Sequence, residues 1–149
     1  KNKLKHKVLI PSLKKKKIII CDRFLDSTYA YQVSGFKIKK LLVDKVHKVI
    51  LNNIKPNFTF VFKVGVNTAL KRVKKRGKRN RYDKFSRNFY SKIQNAFLRM
   101  AKKNSNKYLI VDTSKDIKRV EKLIYDKVTK LLKRWKKIVF YKESGLWPN

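Results

Sequence analysis

An α/β fold built on a parallel sheet is what this sequence predicts, and three observations predict it. Three short apolar runs, at residues 17–24, 58–64 and 108–111, are rich in β-branched and aromatic residues and have the length of buried strands. Between and after them lie longer stretches in which apolar residues recur at helical spacing. Strands this uniformly apolar, alternating with helices, fit a sheet covered on both faces, a three-layer arrangement. The composition agrees with a single domain. The 149 residues are 42% apolar and 12% aromatic, too hydrophobic for a disordered basic tail and sufficient for a modest core.

Each element follows in order. Pro11 is expected to close whatever helix precedes it. Residues 17–24, centred on Ile18-Ile19-Ile20-Cys21, read as the first strand and end in the polar pair Asp22-Arg23. Asp26-Ser27-Thr28 offers an N-cap for a short helix stopped near Gly35. Across residues 36–54, Ile38, Leu42, Val46, Val49 and Ile50 mark an amphipathic helix, and Pro56-Asn57 then breaks the chain before the second strand. Asn67 can cap a helix carrying Leu70 and Val73, and residues 77–84 form a charged loop without apolar periodicity. Ser86 precedes a helix with Phe89, Ile93, Phe97 and Met100 on one face. The third strand, Tyr108-Leu109-Ile110-Val111, ends at Asp112. Ser114 is expected to cap the last helix, whose buried face is Ile117, Val120, Ile124, Val128, Leu131 and Trp135. Residues 1–135 thus make the domain, and the tail 136–149 has no assignment.

The charge admits two readings. There are 42 Lys and Arg against 9 Asp and Glu, a formal charge of +33. Such a field attracts polyanions at low salt, and a basic nucleic-acid-binding protein is one reading. Yet 33 of the 42 cations are lysine, spread from Lys1 to Lys142, whereas dedicated nucleic-acid surfaces concentrate charge and favour arginine forks. The other reading is compositional drift towards Lys, Asn and Ile on exposed faces. No apolar run approaches the ~20 residues that span a bilayer, so no membrane partner is expected. One cysteine, Cys21, cannot form an internal disulfide, which fits a reducing, cytoplasmic setting.

Candidate chemistry is sparse. His6, His47 and Cys21 have no zinc-ligand spacing. His47 falls within a helix, and Cys21 is expected to be an inert packed thiol. In open α/β sheets ligands gather at the carboxyl ends of strands, which directs attention to Asp22-Arg23, to the segment after Val64 and to Asp112-Thr113-Ser114. At such an edge an Arg can grip phosphate oxygens in a fork while an Asp holds a metal-bound water. A structural ion pair accounts for the same two residues equally well. Arg72, Arg76, Arg79 and Arg81 form a second cluster, either a loop that closes over a transferring phosphoryl group or a solvated basic surface.

The stretch Ile20-Cys21-Asp22-Arg23-Phe24-Leu25-Asp26-Ser27-Thr28-Tyr29-Ala30-Tyr31-Gln32 resembles the thymidylate kinase signature, an Asp-Arg-aromatic followed by Ser/Thr and Ala-Tyr-Gln. Further landmarks fall in the family's order. Ile10-Pro11-Ser12-Leu13 resembles the lead into that strand, and Lys55-Pro56-Asn57-Phe58-Thr59-Phe60 the entry to the next. Ala69 to Gly77, with Arg72 and Arg76, resembles the arginine-bearing helix before the lid. Arg81-Tyr82-Asp83 is similar to the lid's Arg-x-acid motif, Phe89-Tyr90 to the pair on the following helix, and Ile110-Val111-Asp112-Thr113 to the last strand and the loop near adenine. The resemblance is to the bacterial type and covers roughly residues 5–134.

The resemblance implies a P-loop nucleotide-kinase fold that transfers the γ-phosphoryl of Mg-ATP to dTMP, giving dTDP. By position, Asp22 belongs near the metal and phosphates, reaching Mg²⁺ only through water, and Arg23 grips the acceptor monophosphate. Ser27, Tyr31 and Gln32 line the thymidylate pocket. Arg72, Arg76 and Arg81 serve ATP and the transferring phosphoryl from a lid region at 72–85. The implied partners are dTMP and ATP, with a homodimer as a possible assembly. A kinase of the same fold acting on another nucleoside or nucleotide is the alternative within this class.

Three departures from the family pattern shape the expectations. The phosphate-cradling Gly-x-x-x-x-Gly-Lys-[Ser/Thr] has no counterpart, since the glycines are Gly35, Gly65, Gly77 and Gly145 and none opens it. The chain is therefore expected to start beyond the family's first two strands and phosphate loop. A full-length parent is expected to be active and these 149 residues alone nearly inactive, with a gap in the sheet and low stability. The family's base-contacting Arg falls at or before Lys1. Lys63 stands where the family often has an acidic or polar residue.

Overall fold

The structure is a computed structural model that describes residues 5–52, 54–75, 85–114 and 116–133. A π-helical turn, Lys5–Leu9, runs directly into α1, Ile10–Lys14. Pro11 does not end the helix as expected. It occupies the first turn of α1, where a missing N–H removes no intrahelical bond and the fixed φ suits the helix.

The expected first strand is corrected too. Residues 17–21 form an irregular stretch that pairs with nothing in a ladder among the described residues. A segment becomes a strand only where a neighbouring backbone presents donors and acceptors in register. Ile20 is accordingly 48% exposed, and Cys21 is an exposed thiol outside any disulfide rather than a packed one.

The sheet among the described residues consists of β1, Thr59–Lys63, and β2, Tyr108–Asp112, paired in parallel as predicted. Thr59 lies opposite Tyr108, and Lys63 opposite Asp112. The ladder extends at both ends, Thr59 N–H donating to Lys107 O at 2.9 Å and Thr113 N–H to Lys63 O at 2.8 Å. Val61 and Val111 are buried at its centre.

The helices agree in existence and differ in detail. The helix α2, Leu25–Thr28, passes without a break into π-helical turns over Tyr29–Gly35. It starts one residue before the expected cap. Phe24 holds the N-cap position without a side-chain bond, and the Asp26 carboxylate is engaged elsewhere. Next comes α3, Lys40–Leu51, with Val43 and Leu51 buried. The expected inward stripe is instead outward, Leu42 being 56%, Val46 44% and Val49 80% exposed. Apolar residues occupy two adjacent stripes of this helix, and contact with the π-helical turns selects the one bearing Val43 and His47.

The helix α4, Val66–Lys75, is closed at its start by Ala69 N–H donating to Gly65 O, so Asn67 lies inside the first turn and is not the cap. Ser86 does cap α5, Arg87–Lys103, accepting from Phe89 N–H at 3.2 Å. Its predicted face is the core: Ile93 and Ala96 are buried with Ala30, and Phe89, Phe97, Met100 and Tyr31 pack around them. On α6, Ile117–Leu132, the cap is Asp116, which accepts from Arg119 N–H, and not Ser114. Ile117 is 81% exposed at its open end, while Val120, Ile124, Val128 and Leu131 are half-buried. Trp135, the loop 77–84 and the tail 136–149 lie outside the described residues, as does the expected boundary at 135.

Candidate nucleotide site

Asp22 and Arg23 form an exposed bend where the irregular stretch 17–21 turns into α2. Arg23 holds a left-handed backbone, φ 59°, which costs a residue with a Cβ roughly 1–2 kcal/mol. Such strain persists only where surroundings over-determine it, commonly at ligand clamps. The surroundings here include Tyr31, whose ring lies under the Arg23 guanidinium at 4.8 Å from its centroid. Two residues assigned from sequence to the same substrate are thus in contact. The contact holds the cation against the face of the ring, and a guanidinium carries planar N–H donors suited to a phosphate.

Tyr31 is set by the core beneath it. Ala30, fully buried, packs against Ile93 and Ala96 of α5, and the Tyr31 ring tilts against Phe89 at 6.3 Å. Phe89 itself stacks on Phe85 at 4.2 Å and meets Phe36 at 5.4 Å. Ser27 and Gln32 lie half-buried on the same run, and Gln32 O accepts from Ile38 N–H at 2.9 Å. The widened π turns rotate successive side chains away from the α register, a local distortion often found at functional sites.

Two polar contacts hold this run from outside. Tyr108 OH, at the start of β2, donates to both carboxylate oxygens of Asp26 at 3.1 Å. Burial raises the Asp26 pKa, and the Tyr108 bond counters it. The Tyr108 hydroxyl is pushed up to about 12 by burial and by the Asp26 charge. Three residues on, Tyr29 OH donates to Asp44 Oδ1 of α3 at 2.7 Å, while Lys40 Nζ reaches Asp44 Oδ2 at 2.6 Å. Those two donors hold the Asp44 pKa below its ordinary value. The His47 ring, half-buried on α3, meets Tyr29 edge-on at 5.2 Å.

Arg72 is separated from this group. Its Nη2 donates to Thr113 O at 3.1 Å, which ties α4 to the loop after β2. In that loop Asp112 Oδ1 accepts from Ser114 N–H at 2.9 Å and from Ser114 Oγ–H at 2.6 Å, a tight Asx turn. Gln94 Nε2 of α5 donates to Val64 O, fixing the chain just after β1. Arg76 and Arg81 lie outside the described residues. Sequence reasoning missed the Asp26–Tyr108 and Gln94–Val64 contacts, because neither pair shares a motif or a periodicity.

Among the described residues no cluster of three or more His, Cys, Asp or Glu could enclose a metal. Asp22, an exposed carboxylate at the bend, suits a hard cation that keeps most of its waters. No described helix is long and apolar enough to cross a membrane.

Comparison with known proteins places these features in context. The family model described as thymidylate kinase matches residues 2–124. The thymidylate kinase of Mycoplasma capricolum is 37% identical over 140 residues, covering 90% of this chain and 66% of that protein. That of Wolbachia pipientis wMel is 36% identical over 126 residues, covering 83% and 62%. The crystal structure of thymidylate kinase from Ehrlichia chaffeensis superposes with a TM-score of 0.61 at 30% identity, covering 89% of this chain and 59% of that one. The chain thus spans about two thirds or less of the length of these relatives.

Proposed function

The chain belongs to the thymidylate kinase family, and from that premise we propose that the protein carrying it transfers the γ-phosphoryl of ATP to dTMP, giving dTDP and ADP. The observation that carries the reading is Arg23, strained at φ 59° and held against the Tyr31 ring within the Asp-Arg signature. A guanidinium held against a ring face is already partly ordered, which lowers the cost of engaging a monophosphate. Arg23 grips the acceptor phosphate in this proposal, and Ser27, Tyr31 and Gln32 contact the nucleoside. Asp22 holds Mg²⁺ through water, and the metal supplies charge neutralisation on the ATP phosphates when bound. Arg72, Arg76 and Arg81 act on ATP and the transferring phosphoryl, and the Arg72 bond to Thr113 O leaves further guanidinium donors for that task. Catalysis of this kind is mainly positioning and charge stabilisation. A homodimer belongs to the same proposal, favoured by the exposed Leu41, Leu42, Val46 and Val49 of α3. The exposed Cys21 thiol, outside any disulfide, favours a reducing cytoplasm.

The test is chromatographic separation of nucleotides after incubating the protein with Mg-ATP and each nucleoside monophosphate. Conversion of dTMP well ahead of dUMP, dCMP, dGMP and AMP is the expected result. Conversion of another monophosphate in preference to dTMP would overturn the base assignment, and no conversion of any would overturn the kinase reading.

A further inference from the structure

The run from Leu25 to Gly35 carries Ser27, Tyr31 and Gln32, yet its own backbone fixes their aim poorly. It changes from α to π register in mid-course, and it starts without a side-chain cap. Ala30 packed on α5 sets how close the run approaches the core. Tyr31 packs against the same core and its ring meets Phe89, which orients the second half of the run and leaves the aim of its first half, with Asp26 and Ser27, to other contacts. Rotation and axial position need directional contacts at a distance from the axis, and hydrogen bonds to charged groups are the strong directional kind.

Two such contacts anchor the run at Tyr29 and Asp26. One, Tyr29 to Asp44, joins the run to α3, an element that is itself exposed along much of its length. The other, Tyr108 to Asp26, joins it to the first residue of β2, opposite Thr59 in the ladder and therefore part of the sheet. Asp26 lies three residues after Arg23 and next to Ser27. Both its oxygens are equidistant from the Tyr108 hydroxyl, so the contact centres the carboxylate as well as tethering it.

We propose that Tyr108 is a positioning residue for the acceptor nucleotide, acting through its hydroxyl on Asp26 to set the aim of the adjacent Ser27. It does not touch substrate. This rests on the acceptor-site reading of the Leu25–Gly35 run. The Arg72 bond to Thr113 O ties α4 to the loop after β2 without using the Tyr108 hydroxyl, so losing that hydroxyl is expected to affect the acceptor side more than the donor side.

Tyr108→Phe removes only the hydroxyl and leaves the ring. The expected result is a rise of about tenfold in KM for dTMP, from loss of one hydrogen bond to a charged acceptor, with kcat and KM for ATP changed less than about twofold. Asp26→Asn keeps an acceptor oxygen for Tyr108 and is expected to restore most of that affinity, whereas Asp26→Leu behaves like Tyr108→Phe. Hydrogen exchange gives a readout independent of activity: amides of residues 25–35 exchange faster in Tyr108→Phe while those of α5 do not. Equal losses on both substrates together with a lowered Tm would reduce Tyr108 to a structural role and overturn the proposal, as would unchanged kinetics and exchange. If the parent protein fails to bind dTMP, the acceptor-site reading fails instead, and the exchange pattern alone decides whether the clamp exists.

Discussion

A guanidinium in the left-handed region of backbone space is an investment that a flexible cation would not reproduce. Arg23 combines φ 59° with a cation–π contact on Tyr31, so its cation is held against that ring before any phosphate arrives. Lysine at the same place retains the charge, but it loses the planar fork and much of the ring contact. Arg23→Lys is therefore expected to raise KM for dTMP roughly tenfold or more, the worth of a charge-assisted bidentate contact. KM for ATP should stay near the parent value in the same steady-state assay, and a matched rise in both would contradict an acceptor-specific role. The Asp-Arg pair was legible because it stands at the end of an apolar run with a distinctive sequence after it. What the pair does locally was not legible. Strain at Arg23 depends on how the bend meets α2, and the Tyr108–Asp26 bond spans 82 positions. Nothing in either residue's neighbourhood encodes the other. Cys21 was misjudged for a related reason, since its burial depended on a ladder partner that the described residues lack.

At the scale of elements, spacing predicted where helices and strands lie better than which side they bury. Both paired strands and the register-ending Asp112 were readable from short β-rich runs bounded by polar residues, and Ser86 was readable as a cap. The face of α3 was not, because apolar residues cover two stripes and periodicity cannot choose between them. Contact with Tyr29 and the π turns makes that choice. Capping residues failed where several candidates stood together: Asp116 rather than Ser114 caps α6, because Ser114 is held in the turn with Asp112. The junction between the π turns and α5 shows how close the packing is. A Cβ added at Gly35 would lie 2.9 Å from Ile93 Cδ1 and 2.9 Å from the Phe89 ring. Ile93 can move its terminal methyl, but Phe89 is stacked on Phe85 and flanked by Phe36. Overpacking of this kind costs about 1–3 kcal/mol, whereas replacing a helical Gly regains at most about 1 kcal/mol. Gly35→Ala should thus lower the Tm by several degrees in a thermal melt followed by circular dichroism. An unchanged or higher Tm would show that the ring cluster yields freely.

For the whole molecule the open question is what a formal charge of +33 does. The described lysines do not converge on one surface patch of the acceptor site. Exposed ones occur before the first bend (Lys14, Lys15, Lys16), along α3 (Lys45, Lys48), on α4 (Lys71, Lys74, Lys75), at the end of α5 (Lys102, Lys103) and on α6 (Lys118, Lys122). Charge carried by so many of the described elements raises the positive potential around them. It attracts any polyanion through released counterions, so affinity should fall as a steep power of salt concentration. A labelled DNA duplex of arbitrary sequence is therefore expected to bind measurably at about 50 mM salt and to lose at least about a thousandfold in affinity by about 200 mM. Duplexes of unrelated sequence should give superimposable curves, because lysines distributed over many elements make no base-edge contacts. Fluorescence anisotropy across a salt series reads both features at once. A sequence preference that survives at about 150 mM salt, where the Debye length is only about 8 Å, would require a shaped surface and would restore a nucleic-acid role for the charge. The steep and sequence-blind decay is the result that assigns the lysines to a solvated exterior with no nucleic-acid role.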